Sequence, residues 1–301
     1  MIIAVTGSTG FIGSAVVDHL RARGDTVKRL VRDPTAAGPD DLVWDPMQGS
    51  IDRRGLEGVE AVIHLAGAGI ADRRWSAHQK RLILESRTRG TSLLAQTIAS
   101  LRNKPRVLIS GSAIGFYGDR GDELLTEQSA PGSGFLAEVV EAWEQSARDA
   151  VDAGIRVAFI RTGIVLHPRG GAMSKMLPLF RFGLGGRLGS GRQWWSWITL
   201  DDEVGAICFL LDHDVAGPVN LTAPEPVTNR EFTKALGAAL HRPTVLPVPR
   251  FGPKLLLGSE LAEELLFTSQ RVVPTVLESA GYEFHHRSIE AGLAAMLGAR
   301  S

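Results

Sequence analysis

The sequence predicts an α/β protein: a Rossmann doubly wound parallel sheet with a smaller, discontinuous α/β substrate lobe beside it. Three observations carry that expectation. Short apolar, β-branched runs alternate with helical stretches as far as Arg161, a glycine-rich turn joins the first run to the first helix, and beyond Arg161 the chain turns glycine-, leucine- and tryptophan-rich.

Taken in order, Ile2 to Thr6 reads as a buried strand. Phe11 to Arg23 has helical spacing (Phe11, Ile12, Ala15, Val16, Leu20), and Gly24 closes it. Thr26 to Val31 is a second strand, Leu42-Val43-Trp44 a short extended piece, and Ala61 to Leu65 a further strand. Ser76 to Ser100 is a long helix, Arg106 to Ser110 a strand, Leu136 to Ala153 one helix ended by Gly154, and Arg156 to Ile160 another strand. Almost wholly apolar strands are buried on both faces, as in a parallel sheet. Later, Asp201 to Leu211 is a helix, Pro218 to Leu221 a strand that rejoins the sheet, and Thr228 to Leu240 a helix opened by a Thr-Asn-Arg-Glu capping pattern. Residues 1–163 with 201–221 are expected to form the nucleotide-binding domain, and 164–200 with 222–301 the smaller lobe.

Composition excludes several classes. The chain of 301 residues has formal net charge +0, with 44% hydrophobic and 22% charged residues, against a nucleic-acid partner or anionic-membrane partner. No run approaches the roughly 18 apolar residues that span a bilayer, and the apolar opening Met1 to Val5 is a strand, not a leader. The single cysteine, Cys208, sits in the apolar run Ala206 to Leu211 and forms no intrachain disulfide, which fits a reducing, cytoplasmic compartment. Adjacent His285-His286 cannot share one face, and no metal set is visible.

Thr6-Gly7-Ser8-Thr9-Gly10-Phe11-Ile12-Gly13 follows a strand and opens a helix. Glycines at that spacing allow a tight turn, backbone approach to a pyrophosphate and close helix–strand packing. The helix start then offers N–H groups and a positive dipole end to phosphate. The second strand ends Arg29-Leu30-Val31-Arg32-Asp33. Arg32 stands where the 2′-phosphate of NADP(H) needs a cation; Asp33 beside it leaves NAD(H) open as the less favoured cofactor.

These segments, with His64-Leu65-Ala66-Gly67-Ala68, Ser110-Gly111-Ser112 leading to Phe116-Tyr117-Gly118, and Arg161 to Leu166, resemble the extended short-chain dehydrogenase/reductases of the NAD-dependent epimerase/dehydratase type. Ser190 to Ile198 and the C-terminal segment resemble an epimerase-like subgroup. The resemblance implies that Leu65, Ala66 and Gly67 line the adenosine–ribose side, that Arg87 approaches the nucleotide from the long helix, that Val165 lies near the nicotinamide, and that Ser112 holds the catalytic serine position. It also implies homodimers through the helices near 76–100 and 136–152.

Two departures stand out. The family's Tyr-x-x-x-Lys opens the helix after the serine loop, yet Gly134 to Trp143 contains neither residue; Tyr117, Glu138 or water would have to supply the proton. Trp194, Trp195 and Trp197 occupy the region where an arginine would grip a sugar-nucleotide diphosphate, which points to a flatter, more apolar substrate, with Arg187 and Arg192 nearby for an anionic group. The sequence thus predicts an NADP(H)-dependent oxidoreductase or epimerase-like enzyme acting on a small hydroxy or carbonyl compound, the alternative being a non-catalytic NADP(H)-binding sensor or assembly protein. A sugar-nucleotide epimerase is the weakest of the three readings.

Overall fold

The structure, a computed structural model, describes residues 1–298. Its main sheet uses β1 (Ile2–Thr6), β2 (Thr26–Val31), β3 (Leu42–Asp45), β4 (Ser50–Ile51), β5 (Ala61–His64), β6 (Val107–Ala113), β7 (Arg156–Thr162) and β8 (Gly217–Leu221). These eight strands lie in the order β8-β7-β6-β5-β1-β2-β3-β4, all parallel except for the β3–β4 pair. The chain leaves β1 in one direction to pair β2 and later returns to its other side with β5. That reversal opens a crevice at the carboxyl ends of β1 and β5, where an open α/β sheet binds its ligand.

Helices cover both faces. On one side α1 (Phe11–Ala22) and α5 (Leu200–Asp212) pack over Ile3, Val5, Ile63 and Ile109; on the other α2 (Ala77–Ala99) packs with Leu94 and Ile98 over Ala4, Val62 and Leu108. Alternate residues of each strand thus feed opposite cores, which is why the strands read as unbroken apolar runs. The stretch expected to be one helix from Leu136 to Ala153 is two, α3 (Phe135–Gln145) and α4 (Arg148–Asp152). At the break Ser146 Oγ donates to Ala142 O at 2.7 Å.

The smaller lobe has its own core, in which Trp195, Trp197, Phe232, Leu236, Ile289 and Leu293 pack together. Thr228 and Glu231 form a reciprocal capping box on the helix Asn229–Ala239. The expected division of the chain is not followed at its end: Leu277 and Phe284 pack into the α1–α5 core of the nucleotide-binding half. Between the halves, Arg271–Val272 pairs in parallel with Leu124–Leu125.

Two buried titratable groups set opposite pH dependences. Burial pushes the Glu203 carboxyl up from 4.5 to about 8, and its Oε2 has no partner. The folded state therefore binds the extra proton and loses stability as pH rises between those values. Burial lowers His64 from 6.5 to about 4, so folding excludes a proton and stability falls as pH drops through that window. Urea unfolding of Glu203→Gln between about pH 5 and 8 should show a flatter alkaline decline than the parent. An unchanged slope would show that Glu203 is ionised in the fold.

Candidate functional site

The glycine turn is built against the end of β5. Gly7 has φ +67°, and a Cβ there would stand 2.7 Å from the Leu65 carbonyl carbon. A Cβ on Gly13 would stand 2.1 Å from Gly7 O, so both positions require glycine for contact as well as conformation. No side chain caps Gly10 at the start of α1, which leaves the first N–H groups open to a ligand.

The hydroxyl of Thr6, a residue expected to touch the cofactor, is engaged within the protein. Buried, it accepts from the N–H groups of Leu65 (3.1 Å) and Ala66 (3.2 Å) and donates to His64 Nδ1 (2.7 Å). With neutral His64 accepting at Nδ1, Nε2–H donates to Thr91 Oγ1 at 2.9 Å, which also accepts from Trp143 Nε1 at 2.9 Å. The network ties the turn, β5, α2 and α3 together. The Phe11 ring lies tilted beside His167, with centroids 6.0 Å apart, while its backbone N–H opens α1.

Gly7, Thr9, Gly10, Leu65, Ala66 and Gly67 line one large cavity of about 1010 Å³, and Arg32 and Asp33 stand at its β2 side. Asp33 Oδ1 accepts from Thr35 N (2.9 Å) and Thr35 Oγ1 (2.7 Å), capping the turn Pro34–Ala36. Arg29 pairs with Asp41. Arg32 is exposed, and no carboxylate pairs with it among the described residues.

A second cleft of about 610 Å³ continues under the smaller lobe, lined by Ile12, Arg87, Ser112 and Val165 among others. Arg87 is buried, stacks over Trp143 at 5.0 Å and donates to Ala68 O at 3.0 Å; burial lowers it to about 10. Ser112 Oγ donates to Glu144 Oε1 at 2.6 Å. Both Glu144 oxygens accept from buried Arg161, at 2.9 Å each. Arg161 also donates to the Tyr117 hydroxyl at 3.1 Å, which donates to Asn220 Oδ1 at 2.7 Å. The sequence reading missed Glu144 and Arg161, which stand on α3 and β7 and meet only in the fold.

Three expectations are corrected here. Tyr117 is fully buried behind the cleft wall, both its hydrogen bonds are taken, and burial pushes its phenol up, so it is no proton donor to a ligand. Glu138 is exposed on the outer side of α3 and does not line the cleft. Of the tryptophans, Trp197 is lobe core, donating to Glu225 O; Trp194 and Trp195 reach the cleft, while Arg187 and Arg192 do not. Leu136 and Val140 form cleft wall in the stretch where tyrosine and lysine were expected.

A parallel sheet with this turn at its crossover defines an NAD(P)-binding Rossmann fold. Residues 3–222 match the NAD dependent epimerase/dehydratase family, and 248–296 match a domain of unknown function, DUF1731. The chain belongs to the NAD dependent epimerase/dehydratase family. It is 45% identical to the epimerase family protein Mb2239 of Mycobacterium bovis over 97% of this chain and 96% of that one. The crystal structure of human epimerase family protein SDR39U1 (isoform 2) with NADPH superposes with TM-score 0.91 at 34% identity, covering 99% of this chain and 100% of that one. A structure described as the nucleoside-diphosphate sugar epimerase of Corynebacterium glutamicum gives TM-score 0.80 at 38% identity over 99% of this chain and 58% of that one.

Glu144→Ala would leave the Arg161 guanidinium buried without its carboxylate and should destabilise the protein by about 3–5 kcal/mol in chemical unfolding. A loss under about 1 kcal/mol would mean that water reaches the pair.

Proposed function

We propose that this protein is an NADP(H)-dependent oxidoreductase or epimerase-like enzyme acting on a small hydroxy or carbonyl compound. The observation that carries the cofactor is Arg32: a cation without a carboxylate partner on the rim of the cavity that the glycine turn lines, beside an Asp33 already committed to its own turn. A guanidinium suits a 2′-phosphate, and one oxygen of Asp33 is already taken by its own turn. The human relative with NADPH supports the same choice.

The residues present fit a dinucleotide. The cavity is large enough for the adenosine half, the open start of α1 suits a pyrophosphate, and Ile12 and Val165 give the adjoining cleft an apolar wall. When bound, the nicotinamide supplies or accepts hydride. Ser112 acts differently from a carbonyl-polarising donor. Its one proton goes to Glu144, whose two oxygens also accept from Arg161, so Ser112 offers lone pairs and suits a substrate hydroxyl.

A second reading, a non-catalytic NADP(H)-binding sensor or assembly protein, draws its support from Leu136 and Val140 on the cleft wall, which cannot move a proton. Purified protein with NADPH and a panel of carbonyl compounds, followed by nicotinamide absorbance, separates the two: oxidation of NADPH above the protein-free rate supports the enzyme, and none across the panel leaves the sensor. Calorimetric titration should show NADPH at least about tenfold tighter than NADH, or about 1.4 kcal/mol. Arg32→Ala should erase that preference with NADH unchanged; equal loss for both nucleotides would refute the 2′-phosphate assignment.

A further inference from the structure

Two stretches of the chain carry cations but no acid: no Asp or Glu stands between Asp152 and Asp201, or between Glu231 and Glu260. The fold lays parts of the two side by side. Val248 N donates to Arg187 O at 2.8 Å, Gly189 N to Val248 O at 2.9 Å, and Arg242 Nε to Arg181 O at 2.8 Å. Lys175, Arg181 and Arg242 are exposed there, and no carboxylate pairs with them among the described residues. The zero net charge of the chain, read above against an anionic membrane, averages over this imbalance.

The same stretches hold the most exposed apolar side chains. Phe182, Leu184, Val245, Leu246, Phe251, Leu255 and Leu256 are between 62% and 83% exposed, and no other large apolar side chain exceeds 53% among the described residues. A surface helix ordinarily buries its apolar stripe. The helix Phe251–Leu257 does the reverse: Phe251 and Leu255, four residues apart on one side, face solvent, while Lys254 and the preceding Arg250 are paired with Glu263. Arg74 donates to Leu255 O and Leu256 O, which holds the helix in that orientation. A concentration of exposed apolar side chains marks a docking surface.

We propose that this face docks the protein on an anionic lipid bilayer, with Phe182, Phe251 and Leu255 entering the headgroup boundary and Lys175, Arg181 and Arg242 meeting the lipid phosphates. Charge decides the occupant. A second copy seated on the same face would set these cations against their own counterparts, which weakens association. An anionic bilayer supplies both an apolar phase and a countercharge, and binding to it grows with buried apolar area and with negative lipid. Glu260 and Glu263, the acids after the helix, are bonded to Lys80 and to Arg250 and Lys254, so they bring no free negative charge to the lipid. Arg250 also lines the cleft, so docking brings the cleft close to the bilayer.

The test is co-sedimentation of the full chain with vesicles of phosphatidylglycerol and phosphatidylcholine in equal amounts, and with vesicles of phosphatidylcholine alone. The protein should bind the anionic vesicles at least about tenfold more tightly, and added salt should weaken that binding. Arg181→Glu with Arg242→Glu, and separately Phe251→Ser with Leu255→Ser, should each reduce it at least about tenfold. All four side chains are exposed, so the thermal unfolding midpoint should stay unchanged in both double variants. No binding to either vesicle, equal binding to both, or binding unaltered in both double variants would each overturn the proposal. So would a dimer of the parent protein that Phe251→Ser with Leu255→Ser dissociates, since a second copy would then occupy the face.

Discussion

The close approach of the first turn to β5 is the constraint on which the rest of the site depends. Gly7 lies against the Leu65 backbone and Gly13 against Gly7 itself, with no space for a Cβ at either. That contact opens the start of α1 towards the crevice, and it leaves Thr6 beneath the turn where its hydroxyl can order Leu65 and Ala66. A methyl group on Gly13 would have to lift the helix from the strand, and the phosphate cradle would open with it.

From that contact a chain of determined protons runs into the second cleft. Thr6 orients His64, His64 orients Thr91, and Thr91 receives the Trp143 indole, over which Arg87 lies. On the far side of Trp143 comes Glu144, with Ser112 and Arg161. The nucleotide cavity and the cleft are therefore held by adjacent residues of one helix, α3. Buried polar groups joined in this way are costly to break singly, because each loss orphans a partner in a medium of low dielectric.

How far the sequence could be read follows from the range of each interaction. The strands and the glycine turn were legible because their signals are local: apolar runs and glycine spacing. The break after Gln145 was not, since neither glycine nor proline marks it in Gln145-Ser146-Ala147-Arg148. Tyr117 had the right chemistry in the right loop, but no sequence pattern says that Asn220, 103 residues away, takes its proton. Glu264 reaches α3 across 129 residues, and only the topology brings them together. Glu144 could have been flagged as an acid on the helix after the serine loop; its partner Arg161 lay at the boundary where the strand pattern ended.

The central claim is that one continuous site runs from Arg32, along the glycine turn, to the cleft beside Ser112 and Val165. A crystal structure of this protein with NADPH tests it most directly. The account predicts the 2′-phosphate on the Arg32 guanidinium, the pyrophosphate on the N–H groups at the start of α1, and the nicotinamide between Ile12 and Val165. A nucleotide whose 2′-phosphate faces away from Arg32, or whose nicotinamide lies outside the cleft, would contradict it.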